Sequence, residues 1–403
     1  FETWQAAGWK QVAQWIADDI AAGKAMSDAP LPAWVLDGRD GVHAAAGSYS
    51  PADNTLVPRS TLPVYQRQRF PDPLLGEQFD PGQTVFENDG VRMWHDGDGI
   101  AVVSFKTKMN TVSDAVLDGL QQAIGIAERD FQGLVIWQNK EPFSAGADLA
   151  GALGLLQAGN VAGFDAMVAN FQRTSQRIKY ALVPVVAAVR GLALGGGCEF
   201  QMHSARTVAH LESYIGLVEA GVGLLPAGGG LKELAVRASR AAGPGGDVFA
   251  ELKKVFETVA MAKVSASALE AKELGLLRAD DVVVFNAFEL LHVAKAQARA
   301  LAESGWRPPM PGRRVQVAGD VGIATFRMLL VNMLEGYFIS PYDDEIATRI
   351  ASVLSGGAVD RGSVVDEEWL LALERKHFVE LAQQEKTQAR IGHMLKTGKP
   401  LRN

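Results

Sequence analysis

Two periodicities alternate along the middle of the chain. Gly133-Leu-Val-Ile-Trp137 and Val183-Pro-Val-Val-Ala-Ala-Val189 are short runs without a charged residue, the pattern of buried strands. Ser113 to Glu128 and Val161 to Tyr180 instead carry apolar residues at helical spacing, and Ser113 is placed to cap the first of them. Strand and helix in alternation imply right-handed βαβ crossovers and a largely parallel sheet covered by helices. Just upstream, Val91-Arg-Met-Trp-His95 and Ile100-Ala-Val-Val-Ser-Phe105 flank the turn Asp96-Gly-Asp-Gly99 and predict a β-hairpin.

The two ends differ from this middle. Residues 3–24 predict an amphipathic helix on Trp4, Val12, Trp15, Ile16 and Ile20. From Ala29 to about Gln83 the chain is rich in Pro, Asp, Gly and Ser, including Pro71, Pro73 and Pro81, and reads as loops and short helices. From Leu231 onward the pattern is almost entirely helical, with helices predicted over Phe288 to Ser304, Ile323 to Tyr337, Asp343 to Leu354 and Glu367 to Leu395. The expected division is therefore residues 1–83, 84–286 and 287–403.

Composition narrows the function classes. At 403 residues, 48% hydrophobic and 21% charged, the chain is a folded globular protein longer than one average domain. A formal charge of -7 and no Lys/Arg block argue against nucleic-acid binding. The single cysteine, Cys198, cannot form an internal disulfide, and no Cys/His spacing suits a metal, so a reducing, cytoplasmic location is expected. Apolar stretches are interrupted too soon for the roughly 20 residues of a membrane-spanning helix. The first residues, Phe1-Glu-Thr-Trp, carry neither a start Met nor a signal-peptide pattern, which suggests a piece of a longer polypeptide.

Three segments carry the candidate chemistry: Phe143-Ser-Ala-Gly-Ala-Asp-Leu149, Gly191-Leu-Ala-Leu-Gly-Gly-Gly-Cys-Glu199 and Ile215-Gly-Leu-Val-Glu-Ala-Gly-Val-Gly223. Each follows a strand-like run, and loops at the carboxyl ends of parallel strands are where ligands gather. Small residues in the first two loops, Ala145 and Gly146 with Gly195 and Gly197, let backbone approach a substrate, and a glycine run opening a helix aims free N–H groups at negative charge. The same glycines would also serve tight helix packing. Glu199 stands either as a dipole partner in the first turn of a helix or as a working carboxyl. Glu219 lies in the uncharged segment from Ser213 to Ala227, where poor solvation would raise its pKa unless Arg190 or Arg206 pairs with it. Asp148 contacts the substrate, fixes the Ala147 loop or caps the next helix, the last being preferred. The run Leu149 to Gln157 with Phe164, Met167 and Phe171 would line an acyl tunnel or pack the core.

Taken together, the segments resemble the enoyl-CoA hydratase/isomerase superfamily over roughly Thr84 to Asn286. The resemblance implies an α/β crotonase-like fold, a spiral of ββα units, here with a helical C-terminal region. It implies that the amides of Ala147, in Ala-Gly-Ala-Asp, and Gly196, in Gly-Gly-Gly-Cys-Glu, hold a thioester enolate. Family hydratases use the Glu closing the second motif and another about twenty residues on, which here are Glu199 and Glu219. By resemblance Glu199 deprotonates a water and Glu219 protonates C2 of a 2-enoyl-CoA. Two departures stand out, Val218 where the family has Pro and Leu231 where it often has Thr. Lys106 or Lys108 could meet CoA phosphates.

Phe1-Glu-Thr-Trp-Gln-Ala-Ala-Gly8 resembles the helical tail of 3-hydroxyacyl-CoA dehydrogenases, so residues 1–83 read as a remnant of that domain plus a linker in a bifunctional fatty-acid oxidation protein. Such a parent would bind NAD in a domain N-terminal to this chain. Here Gly221-Val-Gly223 begins a dinucleotide fingerprint that fails at Pro226, and no cofactor is expected beyond CoA as part of the substrate. The alternatives to a hydratase are a 3,2-enoyl-CoA isomerase and a non-catalytic acyl-CoA-binding scaffold. The partners expected are an acyl-CoA, further copies of the chain and a thiolase.

Overall fold

The structure, a computed structural model, describes residues 1–68, 82–312 and 314–403. It divides into two compact units, Phe1–Pro81 and Gly82–Asn403. The expected linker around Pro71, Pro73 and Pro81 lies outside the described residues.

In the first unit, helix α1 (Glu2–Ala21) forms where its apolar spacing predicts, but Gly8 at φ 100° kinks it. The kink re-aims the helix, so Trp9 and Ala13 form its buried face while Trp15, expected inside, is 58% exposed. Trp9 packs with Val35 and Val42 and donates its indole N–H to the Val35 carbonyl at 3.0 Å. The segment read as loops also holds an antiparallel sheet of β1 (His43–Ala44), β2 (Gly47–Ser50) and β3 (Thr55–Val57), followed by the short helix α2 (Pro63–Gln66). These strands are too short for a period-2 pattern to stand out.

The second unit is built on a seven-stranded sheet of β4 (Gln83–Glu87), β5 (Val91–His95), β6 (Ile100–Phe105), β7 (Gly133–Trp137), β8 (Val185–Leu194), β9 (Arg206–Gly216) and β10 (Val282–Val284), each strand beside its predecessor. The first three pair antiparallel, including the predicted hairpin, and β6 through β10 are parallel. The crossovers are α3 (Asp114–Asp130) after β6, α4 (Leu149–Gln157) and α5 (Val161–Lys179) after β7, and α6 (Gly196–His203) after β8. Helices α7 (Gly230–Ala242), α8 (Val248–Ala260) and α9 (Ala268–Glu273) join β9 to β10, and α10 (Leu290–Glu303) follows.

Both faces of the sheet are covered. Leu134, Ile136, Val185 and Ala187 enter the main apolar core with α3 and α5, while the intervening Val135 and Val186 are equally buried. On that second face a side chain at Gly133 would stand 3.2 Å from Ala298 of α10, so the glycine lets helix and strand close up.

Beyond α10 come β11 (Val315–Gln316), α11 (Gly319–Glu335), α12 (Pro341–Leu354), β12 (Val364–Val365), α13 (Glu367–Ala382) and α14 (Glu385–Thr397). The run expected as one helix from Glu367 to Leu395 is thus two, parted at Gln383 and Gln384. Phe326, Ile346, Ile350, Leu381 and Ile391 share the apolar core of the sheet, so that core crosses the sequence boundary at 286/287. Among the described residues no helix is long and apolar enough to cross a membrane.

Candidate active site

Because β7, β8 and β9 are parallel neighbours, their carboxyl ends share one edge of the sheet and bring the three motif segments together. Backbone bonds then tie the loops to one another. Ser144 donates to Leu192 O at 3.1 Å and accepts from Leu194 N at 3.0 Å, and Gly195 donates to Gly216 O at 2.8 Å. The second segment is half strand, since β8 continues through Leu194 after a register shift near Gly191. Gly195 at φ 50° turns the chain from β8 into α6, a conformation that a side chain would strain.

Two amides are left over at this junction. Val112 donates to Gly146 O at 2.8 Å and accepts from Asp148 N at 3.0 Å, which pins both neighbours of Ala147 and leaves the Ala147 N–H unused. Gly196 opens α6, where an N–H has no intrahelical partner. Among the described residues neither amide donates to another protein group. A side chain at Gly146 would stand 3.6 Å from the Gly196 nitrogen, which places the two donors' segments side by side.

The other small residues divide by role. Ala145 donates to Met109 O at 3.1 Å, and Gly146 donates to the Ser144 hydroxyl at 3.2 Å. A side chain at Gly197 would lie 2.7 Å from the Ser144 Cβ, so Gly197 lets α6 pack on the first loop. Asp148 caps α4 through the amides of Ala150 and Gly151. Phe171 stacks on Phe200 at 4.9 Å, and Phe164 stacks on Phe378 at 5.6 Å, so both serve the core.

Glu199 is 2% exposed. Its Oε1 accepts from the amides of Gly228 and Gly230, both at 2.8 Å, so it sits on the N-terminal turn of α7 rather than on that of its own helix. Burial pushes its pKa up to about 7, while the two amides and the Lys232 ammonium hold it down. Glu219 lies in a short 3-10 turn after β9, beside Gly195: a side chain at that glycine would stand 3.0 Å from Glu219 Oε1. Burial, and then the negative charge of Glu199, raise the Glu219 pKa well above the ordinary carboxylate range. Its Oε2 is buried without a hydrogen-bond partner among the described residues. The arginines that sequence offered it are engaged elsewhere, Arg190 with Glu141 at 3.0 Å and Arg206 with Asp280 at 3.1 Å.

Other sequence candidates fall away from the chemistry. Cys198 is fully buried, and burial pushes its thiol pKa up, away from a reactive thiolate. Lys106 pairs with Glu87 at 2.7 Å, and both it and Lys108 are exposed. Gly221 lies within the 3-10 turn of Glu219 and Gly223 caps it, and no helix opens on them as a dinucleotide fingerprint requires.

The structure adds groups that sequence did not single out. Glu374 of α13 is wholly buried and accepts from the amides of Gly229 at 3.0 Å and Lys232 at 2.5 Å. Burial, and then Glu199, raise its pKa well above the usual range. Beside it Lys232 meets Glu233 and Glu367, both at 3.1 Å, and Lys179 meets the same pair at 2.7 and 3.1 Å. Burial and then Lys232 lower the His203 pKa to about 3, so the ring is neutral. Its Nε2 accepts from the Lys232 ammonium at 2.8 Å, and its Nδ1–H donates to the Glu199 carbonyl at 2.7 Å. One signal was legible: Glu374 falls on the apolar stripe of α13, with Leu370, Leu371 and Leu381, where a charge needs buried partners.

Comparison with known proteins agrees with this architecture. Residues 95–304 match the family model described as Enoyl-CoA hydratase/isomerase. The chain is 40% identical over 319 residues to a probable 3-hydroxyacyl-CoA dehydrogenase of Bacillus subtilis (strain 168), covering 79% of this chain and 40% of that protein. It is 29% identical over 314 residues to a putative fatty acid oxidation complex trifunctional enzyme of Rickettsia felis, covering 78% of this chain and 40% of that protein. The chain thus spans about 40% of the length of these curated relatives. An enoyl-CoA hydratase structure from Bacillus halodurans shares the fold with a TM-score of 0.51 at 16% identity, covering 75% of this chain and 98% of that one. With the family model matching residues 95–304 and the fold shared, the chain belongs to the enoyl-CoA hydratase/isomerase family.

Proposed function

We propose that this chain adds water across the double bond of a 2-enoyl-CoA, giving a 3-hydroxyacyl-CoA. The observation that carries the reading is the pair of buried carboxyls, Glu199 with a pKa pushed up to about 7 and Glu219 raised well above the ordinary range. Two acids in one site whose environments separate their titrations are suited to opposite roles. The raised pKa of Glu219 favours its protonated form, the acid, while Glu199, pushed up to about 7, is partly ionised near neutral pH and able to accept a proton.

In this reading the thioester carbonyl oxygen accepts from the unused amides of Ala147 and Gly196. Glu199 takes a proton from water through Oε2, the oxygen that the Gly228 and Gly230 amides leave open. The water oxygen bonds to C3, the double-bond electrons move toward the carbonyl, and the charge collects on the oxygen held by the two amides. Glu219 then delivers its proton to C2. The net change is one water added, with a proton shifted from Glu219 to Glu199 that returns before the next turnover. Each oxyanion donor contributes on the order of 3 kcal/mol to such a transition state.

The reading extends to the longer protein. A 3-hydroxyacyl-CoA is the compound named in the description of the Bacillus subtilis relative, so water addition here would feed a dehydrogenase carried, with its NAD site, by the remainder of a bifunctional protein. The test is spectroscopic. Purified chain mixed with a 2-enoyl-CoA should remove the conjugated thioester absorbance, and Glu199→Gln and Glu219→Gln should each slow this by roughly 100-fold or more. Appearance of that absorbance from a 3-enoyl-CoA alone would instead mark an isomerase, and no change with either substrate would mark a binding scaffold.

A further inference from the structure

The turn that holds Glu199 has no side chains of its own to fix it. Gly228, Gly229 and Gly230 follow one another, Gly229 lies at φ +105°, and side chains at Gly228 and Gly230 would run into the Glu199 carboxylate at 2.3 and 2.9 Å. Three consecutive glycines carry the greatest backbone freedom of any segment this short. Yet the hydration reading needs the Gly228 and Gly230 amides to stay aimed at one carboxylate oxygen. Some outside group must hold the turn.

Glu374 meets that need from α13. The free donors at the start of α7 are divided between two acids: Gly228 and Gly230 go to Glu199, while Gly229 and Lys232 go to opposite oxygens of Glu374. The two acids grip alternate amides of one short segment. Rotation of the segment toward or away from either acid therefore breaks a bond to the other. Around them stand Glu219 on its turn, His203 on α6, Lys179 on α5, Lys232 and Glu233 on α7, and Glu367 on α13.

We infer that Glu374 is a positioning residue for the acid/base pair: by holding the Gly229 and Lys232 amides it keeps the Gly228 and Gly230 amides on Glu199. The effect on turnover rests on the hydration reading, whereas the effect on the turn does not. Helix α13 thereby supplies a working part of the site, although the carboxyl never meets substrate.

The experiment compares Glu374→Ala and Glu374→Gln in the wild-type and Glu199→Gln backgrounds. It measures kcat and KM for a 2-enoyl-CoA, and amide hydrogen exchange over residues 228–232. Glu374→Ala should lower kcat by roughly 10- to 100-fold with little change in KM, the scale expected when a catalytic group drifts by about 1 Å. Glu374→Gln, which keeps one acceptor oxygen, should recover part of the loss. In the Glu199→Gln background the same changes should cost little more, because the group being positioned is already disabled. Exchange at Gly228 and Gly230 should quicken. An equal loss in both backgrounds, or normal kcat with unchanged exchange, would overturn the assignment. If Glu374→Ala does not fold, the same comparison with Glu374→Gln decides. If the wild-type chain hydrates nothing, the proposed function fails, and the exchange result alone upholds or overturns the role of Glu374.

Discussion

Gly228→Ala puts the catalytic assignment of Glu199 under a steric test that leaves every polar group in place. Gly228 does not lie in the left-handed region, so alanine suits its backbone. Its new methyl, however, would stand 2.3 Å from Glu199 Oε2 and 2.6 Å from Phe171 Cδ1, where ordinary contact begins near 3.4 Å. Phe171 is stacked on Phe200 and cannot retreat easily, so the carboxylate must yield by about 1 Å. Oε2 is the oxygen that would hold the attacking water, and displacement on that scale costs about 100-fold, near 2.7 kcal/mol of activation free energy. The assay is the initial rate of loss of enoyl-thioester absorbance at saturating substrate, with thermal melting as the check on folding. Gly230→Ala, whose methyl would stand 2.9 Å from Oε1, should cost less. A folded Gly228→Ala protein that hydrates at the wild-type rate would refute the placement of water on Oε2.

Three further outcomes follow from the titrating groups. kcat/KM for hydration should rise with pH through about 7 as Glu199 ionises and fall at higher pH as Glu219 loses its proton; a profile flat from about pH 6 to 8 would exclude Glu199 as the base. Glu219 binds its proton more tightly folded than unfolded, so it weakens the folded state as pH climbs above the ordinary 4.5. Glu219→Gln should therefore melt higher than wild type at pH 8 and not at about pH 4, and no alkaline gain would contradict the raised pKa. Lys232→Met leaves Lys179 alone to offset the two buried acids Glu233 and Glu367 and should destabilise the fold by roughly 3 to 5 kcal/mol in denaturant unfolding. It should also move the rising limb of the pH profile upward, because the ammonium holds the Glu199 pKa down; an unmoved limb would disconnect Lys232 from Glu199.

How far the sequence could be read depended on what each pattern competes against. Strand β7 matches its prediction residue for residue because five fully buried positions admit no other reading. Strand β8 extends beyond its apolar run, since a register shift carries pairing on through Gly191. Strand β9 interleaves His210 and Glu212 with apolar residues, and β1 to β3 are shorter than any usable window. For helix α1 the periodicity located the element, but the Gly8 kink chose Trp9 over Trp15 for burial. The two acids and two amides were singled out through the resemblance of their motifs to a known family. Glu374 left only its place on the apolar stripe of α13 as a signal, and which amides it holds depends on segments far away in the sequence.

Sequence alone thus set the central alternation of strands and helices, the glycines of the motif segments, and the acids and loop amides to which catalysis is assigned under the proposed function. Those properties are local: they follow from side-chain chemistry and from spacing along the backbone. Only the folded chain decided that Glu199 rests on the amides of a different helix, that Arg190 and Arg206 pair elsewhere than with Glu219, and that α13 closes around the same turn. Burial and charge coupling depend on which distant segments exclude water from one point, and that is fixed by packing in three dimensions rather than by distance along the sequence.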